Sequence, residues 1–165
     1  TGCMIICTST FILFAYLSGP YNFAPYLTIP FIQGAGEVCV FAAAIVGACV
    51  GFLWHHCHPA KMFMGDTGSM ALGGPIGLIA ILVKQELTLV IVGGIFVWEA
   101  MSVIIQRVWF KYTKRKYGAG KRVFLCAPVH HHYQKKGWAE TQVVVRFWII
   151  ALILAGIGLT TLKIR

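Results

Sequence analysis

The sequence predicts an all-α, polytopic transmembrane helix bundle with about five spans. The 165 residues are 58% hydrophobic and only 12% charged, and their mean hydropathy is +0.77. A composition this apolar is typical of membrane proteins and disfavours the alternative, the buried helices of a soluble protein. We interpret residues 1–165 as a single transmembrane domain fragment, and we expect a longer chain to precede Thr1.

Five apolar stretches mark the expected spans in chain order. They cover residues 1–17, 38–54, 69–83, 87–110 and 143–162. A spanning helix needs about 20 mostly apolar residues, so the third stretch is short for a straight crossing. It also contains three glycines around Pro75, which predicts a kinked helix packed inside the bundle.

Basic residues predict how the spans are oriented. The net charge is +9, and residues 111–136 hold Lys111, Lys114, Arg115, Lys116, Lys121, Arg122, Lys135 and Lys136. The positive-inside rule then places the loops at residues 55–68 and 111–142 on the cytoplasmic face. Basic charge can also indicate nucleic acid, but the lipid bilayer is the expected partner of so apolar a chain, and we expect no nucleic acid.

The stretch "KMFMGDTGSMALGG" contains Asp66, the only aspartate in the chain. Flanking glycines allow the backbone to approach a ligand closely. A carboxylate beside a helix N-terminus is suited to holding a Mg²⁺ ion that neutralises phosphate. The structural alternative is that Asp66 only caps the third helix.

The stretch "APVHHHYQKKGWAE" contains three consecutive histidines, His130, His131 and His132. Consecutive side chains point in different directions, whereas His and Cys zinc ligands are usually spaced along the chain. The three histidines are therefore expected to have different roles, with one ring facing a bound anion and another held by a neighbouring group. Nearby lysines and arginines favour ligands that carry phosphate.

Three further features have competing interpretations. The crowded cluster His55, His56, Cys57 and His58 suggests zinc at first sight, but an interfacial role fits its spacing better. Glu99 lies within an apolar span, where it either pairs with a neighbouring helix or takes part in a site. Gln106 is placed to line a cavity that opens towards the cytoplasm.

Three motifs together resemble the polyprenyl-phosphate N-acetylhexosamine-1-phosphate transferase family. They are "FMGDTGSMALGG", "APVHHHYQKKGW" and "VVVRFWIIALILAGIGLTTLKIR", and the resemblance covers essentially the whole chain. It implies the C-terminal half of a ten-helix enzyme in the bacterial inner membrane, with its active site on the cytoplasmic face. The uninterrupted histidine triplet resembles the muramoyl branch.

The implied reaction belongs to peptidoglycan synthesis. Phospho-MurNAc-pentapeptide passes from UDP-MurNAc-pentapeptide to undecaprenyl phosphate, which yields lipid I and UMP with Mg²⁺ as cofactor. The resemblance assigns Asp66 to the metal and the histidine triplet to the phosphates or sugar. It assigns substrate contacts to Phe63 at the uracil, to Gln106 near the nucleoside, and to His56, which replaces a family asparagine. Family members also imply a homodimer.

Two family motifs are missing from this chain. One is an aspartate pair in a D-D-x-x-K setting, and the other is an N-x-x-N-x-x-D-G-x-D-G-L stretch; both normally lie upstream. We therefore expect the fragment alone to be inactive. Two alternatives stay open, namely a sister transferase that uses another UDP-amino sugar, and an inactive membrane module that binds polyprenyl phosphate.

Overall fold

A computed structural model describes residues 1–19, 31–56, 62–118 and 120–163. Every regular element within these ranges is a helix, which confirms the predicted all-α membrane bundle. In chain order the helices are α1 (Gly2–Ser18), α2 (Ala35–His56), α3 (Asp66–Leu82), α4 (Glu86–Val92), α5 (Gly94–Tyr117), α6 (Val129–Lys135) and α7 (Glu140–Thr160), followed by a 3-10 turn at Thr161–Lys163.

Helix α1 lies at the centre of the apolar core. Its Phe11 and Phe14 side chains are fully buried, and their ring centroids are 5.7 Å apart. Ile79 of α3 and Val83 just after it belong to the same buried cluster. A helix that is apolar on all sides, as α1 is, lies in a protein core or within a membrane.

Helices α1 and α2 are antiparallel neighbours. Where α1 ends, the Ser18 carbonyl accepts a hydrogen bond of 3.1 Å from the backbone N–H of Ile32, shortly before α2 begins. Further along the pair, the Cys39 thiol donates to the carbonyl of Ile12 at 3.6 Å. Advancing along α2 therefore means moving back along α1, towards the start of the chain.

One end of the bundle gathers the segments with polar and titratable side chains. The backbone of Gly2, at the start of α1, lies directly against the Trp148 ring in the first half of α7. Helix α2 runs back to this end and finishes at His56, whose ring contacts Phe63 shortly before α3 begins. Helix α6 precedes α7 directly. We call the end of α2, the start of α3, α6 and the start of α7 the polar end.

Two helices in the described ranges are long and apolar enough to cross a membrane. They are α2 and α7, whose most apolar windows have mean hydropathies of 2.1 and 2.3. Helices α1 and α3 are shorter apolar helices, and Pro75 lies inside α3 without ending it. Exposed side chains such as Leu152 and Ile153 give α7 an apolar outer surface that suits contact with lipid.

The structure divides the fourth predicted stretch into two helices. Helices α4 and α5 meet at Gly93 with a bend of 78° and count as a third crossing only when taken together. A Cβ atom on Gly93 would lie 2.7 Å from the Leu89 carbonyl oxygen, so the bend requires glycine. Gly94 then allows α5 to start close to Leu154 of α7.

Helix α5 also continues beyond the predicted stretch, as far as Tyr117. Its last turn carries Lys114, Arg115 and Lys116, which interact favourably with the negative end of the helix dipole. Gly118 ends the helix in the left-handed conformation, with φ of 72°. Much of the basic charge predicted for a loop therefore lies on a helix.

Candidate functional site

The histidine triplet lies on the short helix α6. This helix begins at Val129, just after a cis peptide bond between Ala127 and Pro128. The Val129 backbone N–H donates to Oε2 of Glu99 at 3.1 Å, and Nδ1 of His130 is 3.1 Å from the same oxygen. One carboxylate from α5 thus holds both the start of α6 and its first histidine ring.

The two other rings of the triplet have different partners. Nδ1 of His131 donates to Oε1 of Gln134 at 2.7 Å, within α6. Nδ1 of His132 accepts the backbone N–H of Leu125 at 3.1 Å. A neutral imidazole that accepts at Nδ1 carries its proton on Nε2, so His132 presents a donor where His130 presents an acceptor. The rings therefore have divided tasks in hydrogen bonding, and their roles towards a substrate stay a prediction.

Gln106 holds the backbone segment that leads into α6. Its Oε1 accepts the N–H groups of Val123 and Phe124 at 3.1 and 2.9 Å, while Nε2 donates to the Phe124 carbonyl at 3.1 Å. The acceptor capacity of the amide is filled, and one N–H remains. The predicted contact near a nucleoside would use that remaining N–H.

Asp66 is the first residue of α3 and has an exposed side chain. Gly65 is the N-cap, and the Ser69 hydroxyl donates to the Asp66 backbone carbonyl at 2.9 Å. Among the described residues the Asp66 carboxylate has no hydrogen bond or ion pair. The described residues therefore show no capping hydrogen bond from the Asp66 side chain, and its role towards a metal stays a prediction.

Phe63 and His56 form part of a short aromatic ladder. The His56 ring stacks on the Phe52 ring of α2, with centroids 5.1 Å apart. The His56 and Phe63 rings meet in a T-shaped contact, with centroids 5.9 Å apart. Nδ1 of His56 donates to the Met62 carbonyl, which fixes the ring. Phe63 itself is 80% exposed and presents an open aromatic face.

The predicted site residues form two groups at the polar end. One group is the triplet with Gln106, and the other is His56, Phe63 and Asp66. In the part of the chain that the structure describes, no hydrogen bond or ion pair joins the two groups. The same part holds no cluster of three or more His, Cys, Asp or Glu side chains that could bind a metal. Of the suggested zinc cluster, Cys57 and His58 lie outside the described residues.

Sequence reasoning missed a three-layer stack beside the triplet. The Tyr133 ring stacks on Trp138 with centroids 4.5 Å apart, and the Arg146 guanidinium lies 3.9 Å from the Trp138 centroid. An arginine over an indole face is a favourable cation–π contact. The stack ties α6 to α7. Its only sequence signal is aromatic and basic residues that follow the triplet.

Comparison with known proteins identifies relatives of this chain. The profile of glycosyl transferase family 4 matches residues 1–84. Proteins named phospho-N-acetylmuramoyl-pentapeptide-transferase from Neisseria meningitidis serogroup C and Neisseria gonorrhoeae are each 57% identical to it over 153 residues. That alignment covers 93% of this chain and 41% of either relative, so the chain spans about two fifths of their length.

Proposed function

This chain belongs to glycosyl transferase family 4, and we propose that it forms part of a phospho-N-acetylmuramoyl-pentapeptide-transferase. The proposed reaction moves phospho-MurNAc-pentapeptide from UDP-MurNAc-pentapeptide to undecaprenyl phosphate and yields lipid I and UMP. The observation that carries this proposal is the 57% identity over 153 residues to relatives with that name. The polar end supplies side chains of the types that this chemistry needs.

Asp66 fits a magnesium site of the kind used for phosphate substrates. Mg²⁺ is usually held by one or two carboxylates together with waters and substrate phosphates, so a dedicated cage of side chains is not required. The Asp66 carboxylate is exposed and has no partner among the described residues. When bound there, the ion would offset phosphate charge on the donor and on the departing UMP.

Helix α6 fits the task of binding phosphate or sugar oxygens. Phosphoryl transfer depends mainly on positioning and on stabilising charge, and both need donors that are fixed before the substrate arrives. The Nε2–H of His132 is such a donor, because its Nδ1 is held by the Leu125 backbone. Lys135 and Lys136 are exposed at the end of α6 and add positive charge.

The aromatic ladder fits the nucleoside part of the donor. An exposed aromatic face such as that of Phe63 gains contact area when a planar base stacks on it. Phe63 is three residues before Asp66, so a base on the ring and a diphosphate near the carboxylate suit one extended UDP ligand. His56 supports the Phe63 ring from the α2 side.

We place this site on the cytoplasmic face of the bacterial inner membrane. The basic residues of α5 and of the segment after it, such as Lys111, Lys114 and Lys121, are exposed. Such charges are retained on the cytoplasmic side and are attracted to anionic headgroups. A donor dissolved in the cytoplasm and an acceptor anchored in lipid would meet there.

The test is lipid-dependent release of UMP by the complete polypeptide that carries this sequence. UDP-MurNAc-pentapeptide and undecaprenyl phosphate are supplied with Mg²⁺, and Asp66→Asn is compared with wild type. We expect release to require the lipid and the metal, and Asp66→Asn to lower it by about a thousandfold or more. Ordinary release by Asp66→Asn would refute the metal role. Release only with another UDP-amino sugar would favour a sister transferase, and no release from a folded protein would favour a binding module.

A further inference from the structure

We propose that Glu99 is a positioning residue for the transfer reaction and that it acts through His130. The inference rests on the proposed function and adds a residue to its machinery. Glu99 lies on α5, while His130 lies 31 residues later on α6, and the two meet at 3.1 Å. No other described carboxylate contacts the histidine triplet.

The hydrogen bonds at Glu99 define which ring nitrogen of His130 is free. Oε2 already accepts the backbone N–H of Val129, so it acts as an acceptor towards Nδ1 as well. The shared proton is then on Nδ1, and Nε2 is the atom left for a substrate. The carboxylate also fixes the plane of the ring, because the Val129 bond holds Oε2 against the start of α6.

Burial makes this contact stronger than an ordinary surface pair. The side chain of Glu99 is 20% exposed, whereas that of His130 is 39% exposed. The carboxylate is thus mostly shielded, while part of the ring faces outwards. Oε1 of Glu99 is buried without a hydrogen-bond partner among the described residues. Burying a carboxylate oxygen without a hydrogen bond is unfavourable, so a carboxylate at this position is expected to have a specific function.

A purely structural role would use the same hydrogen bonds but would have different consequences. If Glu99 only anchors α6 through Val129, its loss should lower stability and should affect activity whether or not His130 is present. If Glu99 also positions the His130 ring, its loss should lower kcat much more when that ring is present than when it is absent. The interaction between the two substitutions distinguishes these roles.

The experiment is a double-substitution cycle on UMP release by the complete polypeptide. We expect Glu99→Ala to lower kcat by about 10- to 100-fold, since a misplaced group costs rate more than binding. KM for the UDP donor should stay within about threefold of wild type. In the His130→Ala background the same substitution should lower kcat by less than about fivefold, because only the Val129 bond is then lost. The exposed Glu86→Ala is the matched control and should match wild type.

Two conservative variants test the positioning role of Glu99 even if Glu99→Ala does not accumulate in membranes. Glu99→Gln retains an oxygen that accepts both N–H groups, so its kcat should stay within about threefold of wild type. Glu99→Asp keeps the charge but is one methylene shorter, so it should resemble Glu99→Ala. Imidazole nitrogen NMR of histidine-labelled protein should show a protonated Nδ1 on His130 in wild type and Glu99→Gln, and its loss in Glu99→Asp.

Each result decides the proposal. Equal losses from Glu99→Ala with and without His130 would overturn it and leave Glu99 a structural anchor. Wild-type activity in Glu99→Asp with an unchanged NMR signal would overturn it as well. An inactive but folded wild-type protein would overturn the proposed function first, and this inference with it. An active wild type with independent effects would overturn only this inference.

Discussion

Gln106 provides a direct test of how the polar end is held together. Its amide makes three hydrogen bonds to the backbone at Val123 and Phe124, in the segment that leads into α6. Gln106→Leu removes all three bonds and keeps a side chain of similar size. Each neutral hydrogen bond contributes about 0.5–1.5 kcal/mol net, so their combined loss costs about 3 kcal/mol.

That cost is expected to appear as local opening of the segment before α6. A loss of about 3 kcal/mol raises the population of the open state roughly a hundredfold. Lys121 and Arg122 supply trypsin cleavage sites there, and cleavage follows the open population when the segment recloses faster than it is cut. We therefore expect Gln106→Leu to accelerate cleavage at these sites by roughly a hundredfold in membranes that trypsin can reach.

The matched control is Gln142→Leu on α7. Gln142 is exposed and has no side-chain hydrogen bond among the described residues, so its substitution changes the same chemistry without removing a contact. Cleavage in Gln142→Leu should equal that in wild type. A Gln106→Leu protein cut less than about three times faster than this control would refute the assigned role of the amide.

Two further predictions concern packing around α7. A Cβ atom on Gly158 would overlap Val92, so Gly158→Ala should lower the free energy of unfolding by about 1–3 kcal/mol. A Cβ atom on Gly156 of the same helix would meet open space, so Gly156→Ala should raise the free energy of unfolding by about 0.5–1 kcal/mol. Thermal melts in detergent compare the two variants, and equal shifts in melting temperature would contradict close packing at Gly158. Arg146→Lys keeps the charge but loses the planar face over Trp138, so melts should show a loss of about 1 kcal/mol, and an unchanged melt would contradict the stack.

Hydropathy predicted the long helices well, because a membrane crossing is defined by its apolar content. The stretches at 38–54 and 143–162 largely coincide with Ala35–His56 and Glu140–Thr160. The bend at Gly93 was not predicted, since the residues on both of its sides are apolar and hydropathy does not change there. The adjacent glycines at 93 and 94 were the one local signal.

The residue types of the candidate site were predicted better than its contacts. Gln106 was expected to line a cavity, which stays a prediction, and its hydrogen-bond partners, 17 and 18 residues away along the chain, were not predicted. Glu99 was expected either to pair with a neighbouring helix or to take part in a site, and the structure shows contacts to Val129 and His130 of α6. Such partners depend on how α5 and α6 meet, which no local spacing encodes.

The partners of the three rings give a physical reason for three consecutive histidines. Successive residues on a helix point about 100° apart, so adjacent side chains meet different neighbours. An imidazole held at Nδ1 by an acceptor leaves Nε2 as an acceptor, while one held by a donor leaves an Nε2–H. A repeated histidine therefore yields both kinds of free atom within one turn, and the roles of these atoms towards the phosphates of the proposed substrate stay a prediction. In this chain the neighbours that create the difference are Glu99, Gln134 and the backbone of Leu125.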